Sequence, residues 1–508
     1  MTSESKSNKK WLVVRFLVII LLFICSRTVP AIAQQHFKEI KVVKPRVIVT
    51  TDIQNEPDDQ ESLVRFLNYS NEFDVEGIVA TTSNWMRDQV HPEVIKNIIR
   101  AYGKVRDNLL KNASGYPSVD YLLKRVKSHL PVFGMEGVGE GKSTDGSRLI
   151  INVVDKADDR PVWITVWGGA NALAQALWEV RKNRSPQEVK DFTSKLRVYT
   201  ISDQDDAGHW IRNNFPNVFY IVSPSEPNGG AWYHRATWTG ISGDKFYQNG
   251  PMYKFNLVQN PWLKKNIITN HGPLGAKYPP LQFIMEGDTP SYLGLIRNGL
   301  GWALSPNYGG WGGRYQLAQT YAEKRKIWTN TRNSRDKVTL KDGNTYVSDQ
   351  ATIWRWRDEY QYDFAARMDW NVMSYDEANH NPVAAINGHK GKEVLETTAS
   401  PGDIIKLDAS GSTDPDGDDL SYKWWVYPEA GTSFRWWIFN NAAPYPGDVK
   451  VTHDNEPKAE IHIPANYIKD SHFRPKDENS VHVILEVTDN GTPNLTSYRR
   501  VIINIVSD

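Results

Sequence analysis

The chain has 508 residues, with 60 Lys+Arg against 59 Asp+Glu for a formal net charge of +1, a single Cys, and a large aromatic set that includes 19 Trp. At roughly 100 to 200 residues per domain this length predicts two to four domains with ample core. One cysteine excludes a disulfide framework, near-neutral charge without long basic blocks excludes the footprint of a nucleic-acid binder, and 23% charged with 40% hydrophobic residues excludes both a disordered chain and a polytopic membrane protein.

In chain order, Lys9 and Lys10 precede an apolar run from Trp11 to Ile24, and Ala31-Ile32-Ala33 supplies an A-x-A site before Gln34. This pattern predicts a secretory signal peptide over residues 1–33 and a secreted or periplasmic protein. The run is shorter than the roughly 20 residues a spanning helix needs, and bulky Ile24 argues against a lipid anchor on Cys25. Cleavage removes five Lys/Arg and one Glu, a net +4, so the mature chain falls from +1 to −3 and has no cysteine. No later stretch is long and apolar enough to span a bilayer.

From Pro45 short β-branched runs alternate with amphipathic stretches. Strands are predicted at Arg46–Thr50, Val75–Ala80, Val162–Val166, Leu196–Thr200 and Val218–Val222, and helices at Asp59–Tyr69, His91–Tyr102 and Ala170–Lys182. Strand and helix in turn predict an α/β fold, a mostly parallel sheet flanked by helices, whose ligands bind beyond the carboxyl ends of the strands. Gly137–Ser143 is one residue short of a phosphate-binding loop and is predicted to be a mobile cover for the site. The Gly/Trp-rich Asn307–Arg314 segment is expected to be a functional loop near the site. His234 and His271 read as loop or packing residues.

Asn379–Pro382 reads as a linker. Beyond it, strands at Ile404–Leu407, Ser421–Val426, Val481–Val487 and Arg500–Ile505 predict one all-β sandwich over residues 379–508, after an α/β domain over 34–378. Leu407 to Trp424 resembles the opening of polycystic-kidney-disease-type and related immunoglobulin-like modules, where Asp414, Asp416 and Asp418 serve either a structural calcium or ordinary Asp/Gly turns. One member of each pair Trp424-Trp425 and Trp436-Trp437 should point out of the core, either as a stacking face for sugar or against the first domain.

The sharpest chemical signal is Thr50-Thr-Asp52-Ile-Gln-Asn-Glu56-Pro-Asp58-Asp59, between the first strand and the first helix. Such crowded carboxylates repel one another unless a hard cation joins them, and calcium accepts six to eight oxygen ligands in irregular geometry; a helix N-cap would account for one Asp only. This motif resembles the Asp-x-Asp-Pro-Gly-x-Asp-Asp motif of the nucleoside hydrolase superfamily. Asp52, Asp58 and Asp59 match its last three Asp, Thr50 replaces the first, and the spacer Ile53–Pro57 is five residues where the family has three. With Glu56–Gln60, Leu63–Leu67, Ile201–Gly208, Thr237–Gly243 and Glu286–Pro290, the chain from about Arg46 onward is more closely similar to a secreted bacterial family of cellulose-binding proteins with a nucleoside-hydrolase-like domain.

The resemblance implies a calcium ion (Ca2+) held by Asp52, Asp59, Asp288 and a backbone carbonyl at or near Trp167. It implies Asp52 as general base, and Asp58, Asn171, Glu226 and Asn228 as sugar-binding groups, the last two as a Glu-x-Asn pair. A glycosidic bond would be hydrolysed with inversion by a calcium-bound water. Related nucleosidases place a leaving-group His immediately before the late Asp, where this chain has Gly287; Glu286, Asp203, Asp205, Asp206 and His209 are the replacement candidates. Three functions compete. The first is an exported calcium-dependent hydrolase acting on polysaccharide, oligosaccharide or nucleoside; the second is a non-catalytic polysaccharide-binding protein; the third is a periplasmic salvage nucleosidase, which leaves the sandwich without a role.

Overall fold

A computed structural model describes residues 36–223, 233–245, 247, 250–320, 323–331, 333–430, 449–465, 467 and 480–506. The signal-peptide segment, Glu226 and Asn228, and the pair Trp436-Trp437 lie outside them. The first nine strands are β1 (Lys38–Ile40), β2 (Arg46–Thr51), β3 (Asp74–Ala80), β4 (Val126–Ser128), β5 (Val162–Val166), β6 (Leu196–Thr200), β7 (Phe219–Val222), β8 (Gln316–Ala318) and β9 (Ile327–Thr329). The last eight form one sheet in the order β4-β3-β2-β5-β6-β7-β9-β8, parallel except where β8 runs against β9. Every residue of β2 and β5 is buried, as a strand covered on both faces requires, which is why they read as continuous β-branched runs. Side chains alternate: Val47 and Val49 enter one core, Ile48 with Ile164 and Val166 the other.

Chain order reverses at β2, with β3 and β4 on one side and β5 to β7 on the other. A crevice must open there between the loops leaving β2 and β5. Asp52 follows β2 and Trp167 follows β5, so the topology alone puts them at one spot. Helix α1 (Asp58–Asn68) starts after Pro57, with Asp58, Asp59 and Glu61 in its first turn, where the helix dipole favours negative charge. Neither Asp caps the helix, so capping does not explain the pair.

The C-terminal region is β-rich. Strands Val394–Ala399, Thr496–Ile505, Ser480–Thr488 and Ser421–Val426 form a sheet that β1 completes at one edge, and Ile404–Asp408, Lys458–His462 and Lys450–Thr452 form a second. Lys38–Asp508 packs as one unit. At the junction Trp356 meets Trp425 at 5.7 Å and Tyr498 at 5.5 Å between ring centroids, and the Tyr498 and Arg500 amides donate to the Asn298 and Gly299 carbonyls. The Gly/Trp-rich segment belongs to this junction and not to the site: Trp311 is buried against Tyr498, and Arg314 pairs with Asp336 at 2.8 Å. Asn379 and His380, expected in a linker, are buried; His380 hydrogen-bonds both Asp416 and Asn112. Asp414 accepts the Asp416 and Asp418 amides, the turn chemistry of an Asp/Gly loop.

Candidate functional site: a carboxylate pocket at the strand ends

A cavity of about 570 Å³ opens at the crevice, within the range that encloses small-molecule ligands. Its inner end is made by Asp52, Asp59 and Asp288, each at most 3% exposed, with Asp58 beside them and partly open to the cavity. Carboxylate oxygens of Asp58, Asp59 and Asp288 all lie within 4.8 Å of one another, and among the described residues this is the one such group of metal-ligating type. Asp288 reaches it because α1 grips the turn before it: Arg65 pairs with Glu286 at 2.6 Å, and the Glu286 amide donates to Glu61 at 2.9 Å. Thr51 donates to Asp59 and fixes its other face.

Four carboxylates are held together here only by protons or by a counter-charge. Burial, then repulsion from Glu56, moves the Asp52 carboxyl from 3.8 up to about 6, opposed by a hydrogen bond from Ser83. Asp58 is pushed up to about 8 by burial and then by Glu56 and Asp52. Asp59 and Asp288 are raised well above the ordinary range, by burial first and neighbouring carboxylates second. Asp52 Oδ2 and Asp288 Oδ2 are buried with no hydrogen-bond partner, a costly state for carboxylate oxygens. A hard cation satisfies those oxygens and lets the group stay ionised, so the residues fit calcium. Trp167 lines the same cavity, and its carbonyl already accepts the Gln204 side-chain N–H at 2.6 Å, which leaves its second lone pair.

The remaining predicted residues sort by position. Of the four expected sugar-binding residues, Asp58 lines the cavity, whereas Asn171 does not. Asn171 is buried away from the pocket, its amide donating to Thr82 and to the Val132 carbonyl, so the structure gives it a role in holding the turn after β5. The other two, Glu226 and Asn228, lie outside the described residues. None of the five leaving-group candidates lines the cavity. Glu286 is committed to Arg65 and Tyr278, Asp203 to a two-pronged pair with Arg212, Asp206 to the Met135 amide, and His209 lies beside Asp203 and Glu323. Asp205 is buried behind Gly169, its carboxyl raised to about 7 by that burial. Gly139 is tied to Gln175, so the Gly-rich loop covers the neighbouring helix and not the cavity. His271 packs against Asp369 as expected, whereas His234 does line the cavity.

Gln204 escaped the sequence reading. Its Nε2 is held by the Trp167 carbonyl, and its Oε1, buried at the cavity wall, accepts no hydrogen bond. The signal available was its place just past a strand end. Glu56, carried by the long spacer, also faces the cavity, as do Tyr233, Trp238 and Tyr247. Chemically, the pocket has a cation-binding end, acceptors for hydroxyls and an aromatic wall.

Residues 46–315 match the family model described as cellulose-binding Sde182, nucleoside hydrolase-like domain, and residues 404–505 match that of the cellulose-binding protein Sde0182 C-terminal domain. Among solved structures, a nucleoside hydrolase-related hypothetical protein from Saccharophagus degradans, described as associated with carbohydrate metabolism, is 36% identical; the match covers 91% of this chain and 100% of that one, with a TM-score of 0.73. The effector protein XOO4466 (9% identity, 66% of this chain and 95% of that one, TM-score 0.33) and the type III effector XopQ complexed with adenosine diphosphate ribose (10%, 66% and 96%, TM-score 0.27) are too distant to carry an argument. No curated protein matches the chain. The N-terminal model alone spans just over half of the sequence, and both halves agree: this chain belongs to the family of cellulose-binding proteins with a nucleoside hydrolase-like domain.

Proposed function

We propose that the protein is an exported, calcium-dependent hydrolase of glycosidic bonds in carbohydrate, working in the carboxylate pocket. The observation that carries this is the triangle of Asp58, Asp59 and Asp288 with the unpartnered Asp52 oxygen beside it. Asp52, Asp59, Asp288 and the Trp167 carbonyl would hold the cation, and the triangle adds Asp58 to the residues within its reach. Bound calcium supplies a Lewis acid that makes water easier to deprotonate and anchors sugar hydroxyls. Asp52 takes the proton of the attacking water, which inverts the anomeric centre. Asp58, the one half-buried member of the triangle, accepts a sugar hydroxyl, and so does Gln204 Oε1. The leaving oxygen takes its proton from Glu56 or His234, the wall's carboxyl and imidazole groups outside the cation set.

A specific observation favours a second, non-catalytic polysaccharide-binding reading: position 287 has no side chain, and a β-carbon there would stand 2.8 Å from Asp58 Oδ2 and 3.0 Å from the Trp238 ring, so an imidazole has no room. In either reading the signal peptide directs export, and the two C-terminal sheets form an immunoglobulin-like sandwich. Purified protein incubated with nucleosides and plant-glycan oligosaccharides, in calcium or in chelator, separates the two. Hydrolysis of a glycan that chelator abolishes, and that Asp52→Asn lowers by about a hundredfold or more, supports the enzyme. No product from any substrate, with retention on insoluble glucan unchanged in the variant, contradicts it.

A further inference from the structure

A cation held by a backbone carbonyl depends on how that peptide is turned, because the oxygen offers its lone pairs near the plane of its own peptide. The turn after β5 is held on three sides. The Trp167 amide donates to the Thr50 carbonyl at 2.9 Å, and the Gly169 amide to the Thr82 carbonyl at 2.9 Å. The Trp167 indole N–H donates to Ser291 Oγ at 3.0 Å, and that hydroxyl donates to the Asp288 carbonyl at 2.7 Å, which ties the turn to the late Asp. These bonds place the chain around residue 167, and none of them falls on the Trp167 carbonyl oxygen. That oxygen is met by Gln204 Nε2 at 2.6 Å. Gln204 is in turn held by its neighbours in the loop after β6. Ser202 Oγ accepts the Trp238 indole N–H at 2.9 Å, Asp203 takes both prongs of Arg212 at 2.8 Å, and Asp205 accepts the Ala207 amide at 3.0 Å.

We infer that Gln204 is a positioning residue for the cation: its side-chain N–H occupies one lone pair of the Trp167 carbonyl and fixes the direction of the other, so that cation affinity depends on a side chain that is not itself a ligand. The inference rests on the cation reading of the pocket given above, with the Trp167 carbonyl among the ligands. The sense of the amide follows from chemistry, since a carbonyl oxygen only accepts; the nitrogen must face it and Oε1 must face away. Lys or Arg in this place would donate but repel a cation, and an ionised Glu could not donate. A neutral amide does the first without the second. Hydrogen bonds of this kind orient metal ligands, and their loss weakens metal binding by about 10–100-fold. The same amide offers Oε1 to the sugar, which sets one side chain between the cation's carbonyl ligand and the substrate.

The full mature chain is titrated with calcium by calorimetry, beside Gln204→Met, which keeps the length of the side chain without its donor, and Gln204→Leu, which lacks the donor in another shape. Terbium is then bound in place of calcium, and its luminescence decay in light and heavy water counts the waters it keeps. The expected result is calcium affinity lower by about tenfold or more in both variants, with bound terbium holding an additional water where the carbonyl has turned away. Melting in chelator should change little, since no cation is then present to lose a ligand. Calcium bound by either variant as tightly as by the parent overturns the inference. So does an unchanged water count with earlier melting in chelator, which assigns Gln204 to the fold and not to the cation. An Asp288→Asn chain that loses calcium while both Gln204 variants keep it overturns the positioning role alone and leaves the cation site standing; a parent that binds no calcium overturns both.

Discussion

Asp52 keeps its place because residue 168 has no side chain. A β-carbon on Gly168 would stand 2.5 Å from Asp52 Oδ1 and 2.8 Å from its Cγ, so the Asp52 side chain is what must give way. Gly168→Ala should therefore push the carboxylate aside and lower turnover by about a hundredfold, the scale of a one-ångström misplacement, with the fold intact by circular dichroism; unchanged turnover would show that Asp52 is not the base. At this scale the sequence was legible where charge density was the signal. Asp52, Asp58, Asp59 and Asp288 stand together as the motif implied. It was illegible where the signal is a spatial relation: Gln204, His234 and Phe283 sit in segments whose spacing carries no period, and only the fold brings them to one wall. Asn171 misled because a turn next to a site resembles a site in sequence, although its amide is spent on holding that turn.

Elements explain why the late Asp arrives at all. The inner face of α1 carries Arg65 in an apolar run, Leu63-Val-Arg-Phe-Leu67, and a buried Arg needs a carboxylate partner. That partner is Glu286, two residues before Asp288, and both side chains are fully buried. Arg65→Met should cost about 3–5 kcal/mol, since it strands a buried charge, whereas combining Arg65→Met with Glu286→Leu should recover part of that loss. Urea unfolding checks both; a single variant as stable as the parent would mean that the pair does not hold the turn. The helix read one residue late at each end, and β2, β5 and β6 were read almost to the residue, because β-branched runs buried on both faces have no other reading. Strands of three residues, such as β4, β8 and β9, are set by their neighbours and too short to show alternation.

Across the whole molecule, the two halves share a core through Trp311, Trp356, Trp425, Tyr427 and Tyr498, and β1 from the N-terminal side completes the C-terminal sheet. A chain cut after residue 378 should therefore lose cooperative melting, and two independent transitions from separately expressed halves would contradict a shared core. The sequence could not show this, because Trp-rich strands look alike whether they face sugar or another layer. The carboxylate pocket also sets the pH dependence. Without cation, folded Asp52 and Asp58 keep protons to about pH 6 and about pH 8 that the unfolded chain releases near its ordinary 3.8. Their stabilising contribution is thus present below about pH 4 and is lost as pH rises towards 8, at about 1.4 kcal/mol per pH unit for each group between its two values. In chelator the melting temperature should fall across that window, and in calcium the slope should shrink; identical slopes would mean that no cation enters the group. The most direct measurement is calcium titration by calorimetry on the mature chain and on Asp288→Asn, which removes one corner of the triangle without changing its size. The expected result is a single calcium per chain, with binding lost or weakened about a hundredfold in the variant; no binding in the parent, or equal binding in both, would contradict the cation site on which the proposed hydrolysis depends.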